Sequence, residues 1–286
     1  MRNSITIFVL ICMFRSVGYC SNQNEHFQLA DSLWTAEQYE WAAIEYERVV
    51  FNGVDNSTRT AAFLRKSDCY IQLGSKEKAM LTTQRIQFFG LSDSLQYEAR
   101  YHAALNSFIN ENFEQAQTHL FQVDQFLPLE YQVKASLLHA LTLNEMRKWS
   151  EAEQKVALYI EHAIEANKDS LQDANGLEYH ADNHPKLKKP QRAFIFSSII
   201  PGSGQLYSGH IFDAALSAIL VLSGVGIAVY GIAIAKYYVT GIALGYSVFQ
   251  RFYIAGQKRA KFLAERKNYR TQNRYNQQLE EFILAL

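Results

Sequence analysis

The sequence predicts an all-α protein in two parts: an N-terminal α-solenoid of about four helix pairs, then a C-terminal transmembrane helical hairpin. Three observations predict it. Apolar residues in the first half recur at spacings of three and four, as in Leu29 and Leu33, the period of a helix face and not of a strand. A pattern of small and bulky residues returns every 36 or 37 positions. Two later stretches, 211–235 and 237–255, carry one charge each, Asp213 and Arg251. As helices they would measure about 37 and 28 Å, against a hydrocarbon core of about 30 Å.

The 286 residues are 48% hydrophobic with 4 Pro and 14 Gly, which excludes a disordered or collagen-like chain. Formal net charge is zero, yet residues 1–190 hold 18 Lys and Arg against 24 Asp and Glu, and residues 191–286 hold 10 against 4. An acidic front argues against nucleic acid as a partner. A basic back suits an anionic membrane surface.

Residues 1–20 have the layout of a secretory signal peptide: Arg2, an apolar run from Ile5 to Phe14 too short to span a bilayer, then Gly18 and Cys20. Cleavage before Ser21, acylation of Cys20 and an uncleaved anchor followed by Arg15 all remain open. Removal of the segment leaves Cys69 without a disulfide partner, on a helical apolar face where a buried inert thiol is expected.

Residues 21–167 form the repeat domain. Four blocks place a small residue in a first helix (Ala30, Ser67, Ala104, Ala140), a larger one after a turn (Tyr39, Lys76, Phe113, Trp149) and an alanine three positions on (Ala42, Ala79, Ala116, Ala152). Small residues let two helices approach closely, and Tyr46, Thr83, Leu120 and Val156 continue the second helix on the same face. Gly74 and Asn112 punctuate two of the turns. The pattern resembles the tetratricopeptide repeat family over about half of the chain, most closely at residues 38–50 (QYEWAAIEYERVV), with a period longer than that family's and Lys76 where a bulky wedge is usual. The resemblance implies a solenoid whose first helices line a concave partner-binding groove: Phe27, Asp31, Trp34, Leu64, Asp68, Ile71, Tyr101, Leu105, Phe108, Leu137, Leu141 and Asn144. The family's carboxylate clamp uses Lys and Asn at set groove positions, where acids or apolar groups stand here, so a chaperone-tail ligand is disfavoured.

Residues 168–190 read as a polar linker with Gly176, Pro185 and Pro190. Its His180 and His184 have helical zinc spacing but no third ligand nearby, so no metal is expected. After the basic cluster Lys186, Lys188, Lys189 and Arg192, residues 191–256 form the membrane domain. Its first uncharged stretch, 193–209, contains Pro201 and three glycines, which predicts a broken or re-entrant segment and not a straight helix. Here the chain resembles a family of uncharacterised bacterial envelope membrane domains, through Ser197, Pro201, Gly202, Gly204, Gln205, Tyr207 and Gly209. The resemblance implies a membrane domain and carries over no reaction.

Asp213 is expected to cap or snorkel at the membrane edge. Gly241 and Gly245 form a GxxxG pattern that would let membrane helices touch, within the chain or between copies in a homo-oligomer. Lys236, Tyr237 and Tyr238 read as an interfacial loop, and 257–286 as a basic helical tail. Two or three crossings fit. Three is the reading preferred here, with 193–209 as an irregular first crossing, because it puts the basic tail in the cytoplasm.

No phosphate loop, HExxH or CxxC occurs, so neither enzymatic activity nor a cofactor is expected. The expected function is that of a bacterial cell-envelope membrane protein whose exported, periplasmic-side repeat domain docks another envelope protein or peptide, with membrane lipids as its other partner. The alternative is a small oligomeric channel, transporter or lipid-handling module regulated by the repeats, with Pro201, Gln205, Tyr207 and Asp213 along its path.

Overall fold

Helix-forming residues and short turns dominate the chain, and in the computed structural model, which describes residues 25–52, 55–166 and 184–285, every regular element is an α-helix. The signal-like segment with Cys12 and Cys20, and His180 of the linker, lie outside the described residues. The chain divides into two units, residues 1–182 with 282–286, and residues 183–281. The division falls inside the stretch read as a linker.

In the first unit, α1 (Glu25–Thr35) and α2 (Tyr39–Phe51) are followed by α3 (Asn56–Gln72) and α4 (Lys76–Thr83). Next come α5 (Asp93–Ile109), α6 (Phe113–Phe126), α7 (Leu129–Glu145) and α8 (Trp149–Ala166). Each helix packs on the next, and α3 also meets α5, which meets α7. The three-residue connections after α1, α3, α5 and α7 share one geometry. Glu37, Gly74, Glu111 and Arg147, spaced 37, 37 and 36 apart, all adopt positive φ, from 59° to 70°. In each, the next residue's amide reaches back five positions, as in Gln38 to the Leu33 carbonyl and Asn112 to the Ser107 carbonyl. This is the Schellman closure, which satisfies the last carbonyls of a helix.

The repeated small residues sit where the helices touch. Ala30, Ser67, Ala104 and Ala140, and Ala42, Ala79, Ala116 and Ala152, are all fully buried. Tyr46, Thr83, Leu120 and Val156 are buried beside them, whereas Lys76 is exposed. Polar ties cross between helices: Asn106 donates to the Ser67 hydroxyl at 2.7 Å, and Glu47 accepts from both Lys66 and Arg85.

The second unit begins with α9 (Pro190–Ile199) and the single-turn α10 (Ser203–Tyr207). Then α11 (Ile211–Ala233) leads into α12 (Tyr238–Ala285), one helix of 48 residues, about 72 Å long. The boundary drawn at 256 from side-chain polarity falls inside this one continuous helix. Among the described residues, α11 is the one helix long and apolar enough to cross a membrane. Its large side chains mostly point outward, including Leu216, Ile219, Leu222 and Val229.

Because an L-residue pays about 1 kcal/mol or more to hold αL geometry, Gly74→Ala should lower the urea-unfolding free energy of the full chain by about 1 kcal/mol. Nothing lies within 4 Å of the added methyl, so conformation alone sets that cost. At the equivalent position Glu111→Gly should cost nothing, since it removes the same strain. A neutral Gly74→Ala beside a destabilising Glu111→Gly would contradict the account.

Candidate functional site

The residues assigned to a groove divide evenly by exposure. Phe27, Leu64, Tyr101, Leu105, Leu141 and Asn144 are buried, and Asp31, Trp34, Asp68, Ile71, Phe108 and Leu137 are half-buried. Phe27 sets its edge on Tyr46, Trp34 on Tyr39 and Phe108 on Phe113, while Tyr101 lies against Tyr97. Asp31 accepts from the Tyr46 hydroxyl at 2.6 Å, and Asp68 pairs with His102 at 3.3 Å. The six buried residues have almost no surface to give a partner. They fill the space between helices, the ordinary fate of large apolar side chains in a helical stripe.

What the first unit does present is a set of phenylalanines at its inter-pair connections. Phe51, Phe89 and Phe126 are 88%, 96% and 71% exposed and recur 38 and 37 positions apart. Phe51 and Phe126 end their helices, and Phe89 lies in the connection between α4 and α5. That connection is held firmly: the Asn56 side chain donates to the carbonyls of Gln87 and Phe89, and Phe88 lies under the Arg100 guanidinium. Sequence reading passed over these three because it searched helix faces. Their recurrence at the repeat period was the available signal.

Burial shifts several ionisable groups in this unit. The Cys69 thiol is buried, and desolvation pushes it up to about 12, so it stays protonated and unreactive. Asp124 is pushed up by burial but held below the usual range by hydrogen bonds from His139 and Lys155. His119 is the opposite case: desolvation and the nearby Arg100 charge lower it to about 4, and its buried Nδ1 has no hydrogen-bond partner. Among the described residues no group of three or more His, Cys, Asp or Glu could hold a metal ion.

In the second unit three of the motif residues, Ser197, Gly204 and Gln205, make one hydrogen-bonded knot. Gln205, fully buried, accepts from the Ser197 hydroxyl at 2.8 Å and donates to the Gly256 carbonyl at 2.9 Å. The Gly204 amide donates to the same Ser197 oxygen. A side chain on Gly204 would strike the Ala193 carbonyl, so glycine is what lets α10 lie on α9. Pro201 follows the end of α9, and Gly202, at φ 94°, turns the chain directly against the Ala214 carbonyl. The Tyr207 hydroxyl accepts from the Lys189 amide at 3.2 Å, with Lys188 over its ring and Phe196 at its edge. Gly209 sits beside the Lys267 side chain.

Lys189 and Tyr207, at the two ends of the α9 and α10 hairpin, touch each other, so this part of 193–209 is a broken segment that turns back on itself.

Helices α11 and α12 run antiparallel along a seam of small residues. Asp213 pairs with Arg259 at 3.2 Å, Ser217 faces Gly256, Gly224 faces Phe249, and Gly231 faces Gly241. A β-carbon on Gly231 would lie 2.5 Å from the Gly241 Cα. Gly241 and Gly245 of the GxxxG pattern thus pack within the chain, and that face is not free for a second copy.

No protein-family model, curated protein or solved structure matches the chain.

Two expectations follow. The unfolded chain takes up the His119 proton near pH 6.5 and the folded one only near 4, so this contribution is full above 6.5 and lost progressively down to 4. His119→Gln should flatten the acid side of the stability profile by up to about 3 kcal/mol, read by chemical unfolding at stepped pH; an unchanged slope would rule the histidine out as its source. In the second unit, Gln205→Leu strands the Ser197 hydroxyl and the Gly256 carbonyl and should cost about 3 kcal/mol in reversible unfolding by denaturing detergent. Unfolding identical to wild type would show that the carboxamide bridges nothing.

Proposed function

We propose that the chain is a non-enzymatic, membrane-anchored docking protein of the cell envelope. In this reading residues 1–20 export a tetratricopeptide-like repeat domain, α11 and the first five turns of α12 form a two-span anchor, and the repeats hold another envelope protein or peptide. The anchor reading rests on the apolar, outward-facing length of α11 and on its close pairing with α12, whose apposed residues then share its depth. Two spans put both ends of the anchor on the same side.

The docking reading rests on Phe51, Phe89 and Phe126. Three large, exposed apolar side chains recur at the repeat period, and the backbone that carries one of them, Phe89, is held by the Asn56 side chain; exposed aromatic groups of this size are available to a partner. Residues 25–166 carry 20 Asp and Glu against 12 Lys and Arg, so the partner surface that fits is apolar and basic. The channel or transporter alternative would need Gln205, Tyr207 and Asp213 to be available to a permeant; each is already committed to a neighbour, and no observation favours that reading.

Photoreactive phenylalanine analogues at positions 51, 89 and 126 should crosslink one common partner in cells, and Phe89→Asp with Phe126→Asp should abolish the crosslink from position 51 while the melting curve stays within about 1 kcal/mol of wild type. Retention of every partner by the double variant would sink the proposal. Leu105→Glu, by contrast, should unfold the unit, because that side chain is 7% exposed.

A further inference from the structure

The α9 and α10 hairpin is apolar on its outer surface and stops short. Ile195, Phe196, Ile199 and Ile200 are exposed, as are Ile211 and Phe212 at the start of α11. The depth to which it reaches can be read from its neighbours. Gly202 lies against Ala214, three residues or about 5 Å along α11. The Ser198 carbonyl accepts from the Tyr253 hydroxyl at 2.6 Å. In the register that sets Ser217 against Gly256, Tyr253 faces residues 219 and 220, about 13 Å along α11. A leaflet's hydrocarbon is half of about 30 Å. The tip therefore lies within one leaflet when α11 spans both.

The other end of the hairpin is basic. Lys189 and Arg192 are exposed at the start of α9, whose Ala193 packs on Ala260 and Ala264 of α12, between which lies exposed Lys261, with exposed Lys258 nearby. Asn268 fixes this level by donating to the Lys188 carbonyl at 2.6 Å and accepting from its amide at 2.7 Å. An apolar tip below a basic collar is the distribution of an element seated at the headgroup boundary of an anionic leaflet.

We infer that α9 and α10 form a wedge inserted into a single anionic leaflet, which makes the chain prefer membrane whose inserted face is convex. The inference rests on the membrane-anchor reading above. Material added to one leaflet near the headgroups expands that leaflet relative to the other, so insertion is easiest where curvature has already spread the headgroups. The Ser197, Gln205 and Gly256 network is what stops the wedge from opening into a straight helix.

The test uses the full chain inserted into preformed giant vesicles with the collar on the outer face, from which narrow tubes are drawn. On vesicles containing phosphatidylglycerol, protein density should be at least about twofold higher in the tube than on the parent vesicle. The enrichment should fall on phosphatidylcholine alone and vanish in Ile199→Asn with Ile200→Asn, while Ile200→Leu retains it. A spin label at Ile200→Cys should report a depth short of the bilayer midplane. Equal density in tube and vesicle, enrichment that survives the double Asn change, or a label beyond the midplane would each overturn the wedge. Release of the chain from vesicles by alkaline wash would instead overturn the anchor reading, a separate outcome scored before any tube is drawn.

Discussion

One side-chain amide organises the second unit. Gln205 has no contact with solvent, and its two polar ends hold two different elements, Ser197 of α9 and the backbone of α12 at Gly256. Hydrogen bonds in a poorly solvated setting are worth more than in water, and leaving them unmade costs more still. The glycines around it serve the same end. Gly204 admits the Ala193 carbonyl, Gly202 admits Ala214, and Gly256 admits Ser217, so backbones meet where a β-carbon would hold them apart. A break in a buried helical segment leaves backbone groups that must be shielded and paired, and this knot does both.

The first unit solves its problem by repetition. Its helices meet through alanines and a serine at fixed spacing, and the chain reverses through four copies of one turn in which three positions are not glycine. Glu37, Glu111 and Arg147 hold a conformation that disfavours side chains, so the surrounding packing must stabilise each turn by more than its strain. A helix pair alone could not offset that cost. Stacked pairs can, since each turn fixes two helices that both neighbours then bury.

The period was legible in the sequence because close helix contacts demand small residues, and Ala30, Ala104 and Ala140 have no other reason to recur. The turn was only partly legible: Gly74 announced it, but Glu111 in the same conformation carries no compositional mark. The burial of half of the groove residues was not legible, because a template of positions says which way a side chain starts, not whether its neighbours leave it any surface; Phe27 and Tyr101 are covered. At Gly256 charged residues follow apolar ones, a change of polarity that the sequence shows and that needs no break in the helix. The return of α10 onto α9 was foreshadowed by Pro201 and Gly202, but its closure through Tyr207 and Lys189 joins residues 18 apart and cannot be read from local pattern.

Charge and topology then meet at the collar. The α9 and α10 hairpin returns to its starting level and α11 pairs antiparallel with α12, so Lys189 and Arg259 flank the same end of the second unit, while the α11 to α12 connection at the other end carries Lys236. Under the proposed anchor reading this imbalance would pull the collar toward the cytoplasm, whereas the proposed signal at residues 1–20 would pull the preceding domain out. The two demands are not equal in kind. Charge bias acts on short loops, and long domains translocate largely regardless of it. An exported collar loses the orienting benefit of its charge but keeps its attraction to anionic headgroups, on the order of 1 kcal/mol per basic residue near the surface. The same lysines and arginines that make export harder would then hold the wedge at its depth once it is in place.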